Sequence, residues 1–164
     1  MHKKAPHSHY WCGINSPMEY LFLSAMFLLL SCHTPPAEHY GFLTRLGRDT
    51  ISIESVMRQG NTVTTDEVDR FPQVRGRHTV IELAPDGSIQ HLVMDIHTPS
   101  VPANKRECKV IADVTPDSVH LSKTDGTGTL KRDFATGSAI MVAHVPQMYS
   151  LYEIYFAAAL KYIS

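Results

Sequence analysis

The residues with the clearest chemical potential form an alternating run, His91-x-Val93-x-Asp95-x-His97. In an extended strand every second side chain points to the same face, about 7 Å from the next one. His91, Asp95 and His97 are therefore candidate metal ligands, since side chains at the spacing of Asp95 and His97 can converge on one divalent ion and imidazole and carboxylate are ordinary zinc ligands. The spacing predicts a candidate metal site on a strand, with a further ligand still to come from elsewhere in the chain.

An ordinary ion pair between strands is the competing interpretation of this run. Pro85-Asp86-Gly87 separates two alternating stretches and predicts a hairpin with a three-residue loop. If Ala84 pairs with Ser88, the register of this hairpin sets Arg77 opposite Asp95. Asp95 would then form a structural ion pair on an amphipathic face instead of binding a metal.

Motifs for common catalytic and cofactor chemistries are absent from the sequence. It has no Gly-Lys-Ser/Thr phosphate loop, no dinucleotide-binding glycine pattern, no His-Glu-x-x-His and no Gly-x-Ser-x-Gly. Cys108 follows Glu107, and a neighbouring carboxylate opposes formation of a reactive thiolate. We therefore expect no cofactor and no catalytic residue, and the sequence favours a non-catalytic protein over an enzyme.

Composition limits the classes of protein and partner that need to be considered. The chain has 164 residues, of which 43% are hydrophobic and 19% charged, with a formal net charge of −1. This length suits a single domain with its own core. A near-neutral charge lacks the excess of Lys and Arg that binding to phosphate backbones requires, so we expect no nucleic-acid partner.

Two-residue alternation with turn residues between the runs dominates the chain from Gly41 onward, which is typical of antiparallel strands and hairpins. The predicted fold is mainly β: a curved or partly closed antiparallel meander sheet with one C-terminal helix, plus an N-terminal signal helix. Asp113 and His120 face each other only if the Pro116-Asp117 turn has a two-residue loop, which the sequence leaves open. The predicted strands are Phe42–Leu46, Thr50–Met57, Thr62–Asp69, His78–Ala84, Ser88–Thr98, Lys109–Thr115, Val119–Lys123, Thr129–Phe134 and Gly137–Val145.

The C-terminal residues predict a helix from Leu151 to Ile163, with Ser150 and Glu153 forming a capping box at its start. Apolar side chains occupy two faces of this helix, whereas a single sheet covers only one. We expect the second face to need cover from a second copy, more chain or lipid. Whether the domain, 41–164, is truncated at its C-terminus therefore stays open.

The N-terminal segment contains an uncharged apolar run, Tyr20–Leu30. Its last two residues begin the sequence Leu29-Leu30-Ser31-Cys32. As a helix, this run is too short for the ~30 Å hydrocarbon core, but it suits the apolar region of a signal peptide. The sequence around Cys32 resembles the bacterial lipobox. The resemblance implies a cleaved signal peptide at 1–31, a lipidated Cys32 and a Pro-containing tether at 32–40, with Met18 as an alternative start to Met1.

The lipobox resemblance implies that the membrane is a partner through the N-terminal lipid. It places the protein in the bacterial cell envelope, outside the cytoplasm. Residue His33 follows the cysteine where an Asp would signal retention. For a Gram-negative source, the resemblance therefore implies the outer membrane.

The region from Gly41 to Leu130, including Thr44-Arg-Leu-Gly-Arg-Asp-Thr-Ile51 and Leu83-Ala-Pro-Asp-Gly-Ser88, resembles the β region of uncharacterised exported bacterial proteins. This resemblance implies a sheet but supplies no catalytic residue. Two functions follow. The first is a lipid-anchored envelope protein that binds an apolar ligand or a protein partner. The alternative is a metal-assisted envelope hydrolase with its site near His91, Asp95 and His97.

Overall fold

The computed structural model describes residues 36–136 and 145–161. These residues belong to one structural unit, Pro35–Ser164. The predicted signal peptide, Cys32 and most of the last predicted strand lie outside the described residues. The first strand begins at Glu38, so the end of the predicted tether is already part of the sheet.

Within the described ranges, one antiparallel sheet follows the chain order from β1 to β8. Among the described strands, the first and the last pair on one side only, so this part of the sheet is open. A 3-10 turn at Ala103–Lys105 precedes β6, and helix α1 spans Tyr149–Lys161. The strands are β1 (Glu38–Leu46), β2 (Asp49–Gln59), β3 (Thr62–Asp69), β4 (Arg75–Leu83), β5 (Ile89–His97), β6 (Glu107–Val114), β7 (Ser118–Asp125) and β8 (Gly128–Ala135). The predicted mainly β meander with a C-terminal helix is confirmed.

Alternation divides the sheet into a buried inner face, which packs against α1, and an exposed outer face. Each fully buried aliphatic side chain contributes about 1.5–3 kcal/mol to folding, and the inner face gathers several. The buried hydrophobic cluster comprises Val56, Val63, Ile81, Leu83, Leu92, Met94, Met148, Leu151 and Ile154. The core therefore lies between the middle strands and the helix.

Helix α1 buries one apolar face and exposes another. Leu151, Ile154 and Ala158 are buried, whereas Phe156 and Leu160 are 60% and 66% exposed. The predicted division of the helix into two apolar faces is confirmed for its described residues.

The predicted capping box at the start of α1 is wrong. The helix already begins at Tyr149, and the Ser150 hydroxyl donates to the Glu54 carboxylate of β2. A side chain from the sheet therefore takes the place that Glu153 was expected to fill.

The β4–β5 hairpin has the predicted three-residue loop. The Ala84 N–H donates to the Ser88 carbonyl at 2.8 Å, and Gly87 adopts a φ of 90°. A positive φ is costly for residues with a Cβ, so glycine at this loop position has a direct conformational reason.

The predicted register of this hairpin is wrong, although its loop is right. His78, not Arg77, lies opposite Asp95, and Arg77 lies opposite Ile96. The register shifts near the loop, where Gln90 is an extra residue on β5. A slip of one residue exchanges the faces of a strand. Arg77 and Asp95 consequently lie on opposite faces of the sheet, Arg77 on the inner face, and they do not pair.

Candidate functional site

The inner face carries a polar cluster on β2–β4, which we call the inner polar cluster: Ser52, Glu54, Glu67, Asp69 and Arg77. Arg77 Nη1 lies 2.5 Å from Glu67 Oε2, and its Nη2 lies 2.7 Å from Asp69 Oδ2. The Ser52 hydroxyl donates to the other oxygen of Glu67 at 3.0 Å. The side chains of Glu67 and Asp69 are fully buried, and that of Arg77 is 3% exposed. The Arg77 guanidinium thus pairs with both carboxylates, and Arg75 adds a second cation 3.2 Å from Asp69.

Glu54 connects this cluster to the helix. Its Oε2 accepts hydrogen bonds from the backbone N–H groups of Tyr149 at 2.8 Å and Ser150 at 3.2 Å. The N-terminus of a helix carries unpaired donors and a partial positive charge, so a carboxylate there is stabilising. Glu54 therefore fixes the start of α1 against β2.

Burial raises the pKa of the Glu67 carboxyl group, and this effect outweighs the opposing effects of Arg77 and Ser52. A raised pKa can mark a catalytic carboxyl group, but ion-pair networks in the core produce the same shift. Here the carboxyl group is buried and both of its oxygens already have partners. We therefore assign the inner polar cluster a structural role.

Histidines and carboxylates alternate across the outer face. The Thr115 N–H donates to the Ser118 carbonyl at 2.9 Å, so the loop between β6 and β7 consists of Pro116 and Asp117. Asp113 therefore faces His120, which answers the question left open by the sequence. The Nδ1 atom of His91 lies 2.6 Å from Asp113, and that of His120 lies 2.7 Å from Asp133. We call this row the outer ladder: Glu82, His91, Asp113, His120 and Asp133, one from each strand of β4–β8.

The three predicted metal ligands, His91, Asp95 and His97, share the outer face but do not form one site. Each interacts with its own partner on β6, at 2.5 to 3.3 Å. In residues 36–136 and 145–161, no group of three or more His, Cys, Asp or Glu side chains is arranged to hold a metal ion. The partners are Asp113 for His91, Lys109 for Asp95 and Glu107 for His97.

An open depression of about 550 Å³ lies on the outer face over β2–β6. Gly76 forms its floor, between Val68 on β3 and His97 on β5. A Cβ atom added to Gly76 would meet no atom closer than 4.0 Å. The missing side chain therefore leaves a real gap, which we call the Gly76 depression.

The wall of the Gly76 depression is apolar on one side. Ile53 and Val68 lie next to each other on β2 and β3 and are 56% and 52% exposed. On the other side are polar residues, among them Asp95, which the sequence had singled out together with His97. Aliphatic groups exposed beside polar ones are typical of sites that bind ligands.

Two histidine–carboxylate pairs border the depression. His78 Nδ1 lies 2.8 Å from Asp66, and His97 Nδ1 lies 2.5 Å from Glu107. When ionised, the carboxylates of these pairs are hydrogen-bond acceptors only, and Asp95 adds a third carboxylate to the border. The border therefore presents mainly hydrogen-bond acceptors.

Sequence reasoning identified Asp95 and His97 but missed Gly76, His78 and Asp66. The available signal was the isolated glycine in Arg75-Gly76-Arg77, since glycine inside a strand often marks a close approach or a gap. His78 and Asp66 could not be assigned without the correct register, because they belong to two neighbouring strands.

No helix in the described part of the chain is long and apolar enough to cross a membrane. No protein-family model matches the sequence, no curated protein is significantly similar to it, and no solved structure resembles it significantly.

Proposed function

We propose that this protein is a lipid-anchored module of the bacterial cell envelope that binds its ligand in the Gly76 depression. The observation that supports binding is the pairing of an apolar wall with a floor that has no side chain. Exposed aliphatic surface is unfavourable by roughly 25 cal/mol per Å². A ligand that covers Ile53 and Val68 recovers this free energy, and the gap above Gly76 gives it room.

The sequence supports the lipid anchor through Leu29-Leu30-Ser31-Cys32. The first strand begins at Glu38, so only residues 33–37 separate it from the cysteine. A short connection of this kind keeps the domain close to the lipid. Ligands at or near the envelope membrane are then the relevant ones.

Binding without catalysis fits the chemistry of the depression. Its histidines are engaged with carboxylates, and no hydroxyl or thiol nucleophile is paired with them there. The Cys108 thiol lies elsewhere, and burial raises its pKa, which lowers its reactivity.

Site-specific photo-cross-linking tests the proposed binding site in cells that produce the full chain. With p-benzoylphenylalanine in place of Val68, we expect a discrete cross-linked product after irradiation. Gly76→Leu in the same chain fills the floor and should remove that product. Substitution of Lys131, an exposed residue of β8, with the same photoreactive group is the matched control and should give no product. Identical products at both positions, or a product that persists with Gly76→Leu, would refute the site.

A further inference from the structure

We propose that the Gly76 depression takes the side chain of an arginine or lysine in a partner polypeptide. This inference rests on the proposed function and names the class of ligand. Three features of the depression carry it: its charge, its hydrogen-bonding groups and its apolar wall.

The charge around the depression is negative. Asp66, Asp95 and Glu107 all border it. The ammonium group of Lys109 lies 3.3 Å from Asp95 and offsets one of these charges. The Arg77 side chain adds nothing on this face, because it is bound to Glu67 and Asp69 on the inner face. A cationic group is therefore complementary to the border.

The hydrogen-bonding groups select a donor. Ionised carboxylates are acceptors only, and those of Asp66, Asp95 and Glu107 border the depression. A guanidinium has five N–H donors and no acceptor, and an ammonium has three donors. Both complement this border, whereas a carboxylate or phosphate ligand would face like charge.

The apolar wall matches the rest of such a side chain. Arginine and lysine carry an aliphatic stem that packs on apolar surface while the charged head stays in a polar environment. Ile53 and Val68 provide that surface at the side of the depression. The gap above Gly76 accepts the stem because no other side chain fills it.

A polypeptide fits better than a free small cation. The depression is open to solvent, so it contacts only part of any ligand and holds a small molecule weakly. Further apolar side chains are exposed in the β3–β4 connection, which lies between Val68 and Gly76 in the sequence: Phe71 and Val74 are 62% and 46% exposed. Residues flanking a bound arginine or lysine can cover this additional surface.

Fluorescence anisotropy with labelled peptides tests the inference on the full chain purified in detergent micelles. The probe is Gly-Leu-Arg-Leu-Gly, and its control replaces arginine with citrulline, which has a similar shape but no charge. We expect the arginine peptide to bind at least about tenfold more tightly, equivalent to about 1.4 kcal/mol. Free arginine amide, as competitor, should displace it only at much higher concentration than the unlabelled peptide.

Variants of the chain locate the binding. Gly76→Leu should abolish binding of the arginine peptide, and Glu107→Gln should weaken it severalfold. Asp113→Asn removes one carboxylate from the outer ladder on the same face, outside the depression, and should leave the affinity unchanged. Far-UV circular dichroism establishes that each variant is folded. If Gly76→Leu does not fold, the comparison of Glu107→Gln with Asp113→Asn still shows whether the peptide binds in the depression.

The alternative results each overturn a distinct part of the inference. Equal affinity for the arginine and citrulline peptides would show that the depression takes an apolar ligand. If arginine amide competed as well as the unlabelled peptide, the ligand would be a small cation. Equal weakening by Asp113→Asn and Glu107→Gln would show unspecific attraction by the acidic face. If no peptide binds but the Val68 cross-link still depends on Gly76, the ligand class is wrong and the proposed binding site stands.

Discussion

Glu54 and Glu67 lie directly opposite each other on β2 and β3, and both are buried. Like charges in such a cross-strand pair repel. Each carboxylate has its own stabilising partners: the N-terminus of α1 binds Glu54, and Arg77 with Ser52 binds Glu67. The attachment of the helix and the ion pairs of the sheet therefore meet at one pair of residues.

Removal of the Glu54 carboxylate should weaken the attachment of α1. Glu54→Ala leaves the N–H groups of Tyr149 and Ser150 without their acceptor, and buried unpaired donors are costly. We expect the free energy of unfolding to fall by about 2–4 kcal/mol in urea denaturation. Glu82→Ala, on the exposed outer face, is the control and should change it by no more than about 0.5 kcal/mol. Equal effects of the two substitutions would contradict the capping role of Glu54.

Loss of Arg77 should be more damaging than loss of an exposed cation. Arg77→Met leaves the buried Glu67 carboxylate without a cation and Asp69 with Arg75 alone, and breaking a buried pair in this way typically costs about 3–5 kcal/mol. Lys109→Met breaks the half-exposed pair with Asp95 and should cost less than about 1 kcal/mol. Denaturation curves of both variants at one pH measure the difference. If Arg77→Met lowers the free energy of unfolding as little as Lys109→Met does, the pairing of Arg77 with Glu67 and Asp69 contributes little to stability.

Tyr40 gives the fold a specific dependence on alkaline pH. Burial, and then a hydrogen bond to Glu153, raises the pKa of its phenol from 10.0 to about 12. The folded state thus retains the phenol proton at a pH where the unfolded chain has lost it. This contribution to stability is complete below pH 10 and disappears as the pH rises through about 12.

Denaturation of the wild type and of Tyr40→Phe between pH 9 and pH 12 measures this contribution. We expect the unfolding free energy of the wild type to decline more steeply across this range, because phenylalanine has no proton to lose. Parallel curves for the two proteins would show that the Tyr40 phenol titrates normally.

Two glycines provide a matched test of backbone conformation. Gly87 has a φ of 90°, and a Cβ added there would lie 3.0 Å from the Lys161 ammonium. Gly76 has open space above it and no positive φ. Gly87→Val should therefore lower stability by about 1 kcal/mol or more, whereas Gly76→Val should be neutral or slightly stabilising. Thermal melts would reveal any reversal of this order.

Strand positions could be predicted because alternation and turn residues are local signals. Thr62–Asp69 was predicted from Gly60-Asn61 and the following alternation, and β3 has these bounds. The three-residue hairpin loop was also predicted from local residues, Pro85-Asp86-Gly87. The bulge at Gln90 has no comparable local signature, so the register beyond the loop could not be deduced.

The candidate site depended on information that is not local. Alternation on one strand placed Asp95 and His97 on the same face. The residues that complete the depression come from β2, β3, β4 and β6, and their alignment requires the registers of four strand pairs. The same reason explains the helix cap, since Glu54 is separated from Ser150 by 96 positions in the sequence.

Intact-mass spectrometry of the mature chain purified from bacterial membranes tests the central claim, that a lipid on Cys32 anchors the module, most directly. We predict a chain that starts at Cys32 and carries a diacylglyceryl group on its sulfur. Cys32→Ser should remove that mass and leave uncleaved precursor, while Cys12→Ser, within the segment expected to be cleaved, should give the same mature mass as the wild type. A mature chain that retains residues 1–31, or that carries an unmodified Cys32, would contradict the account.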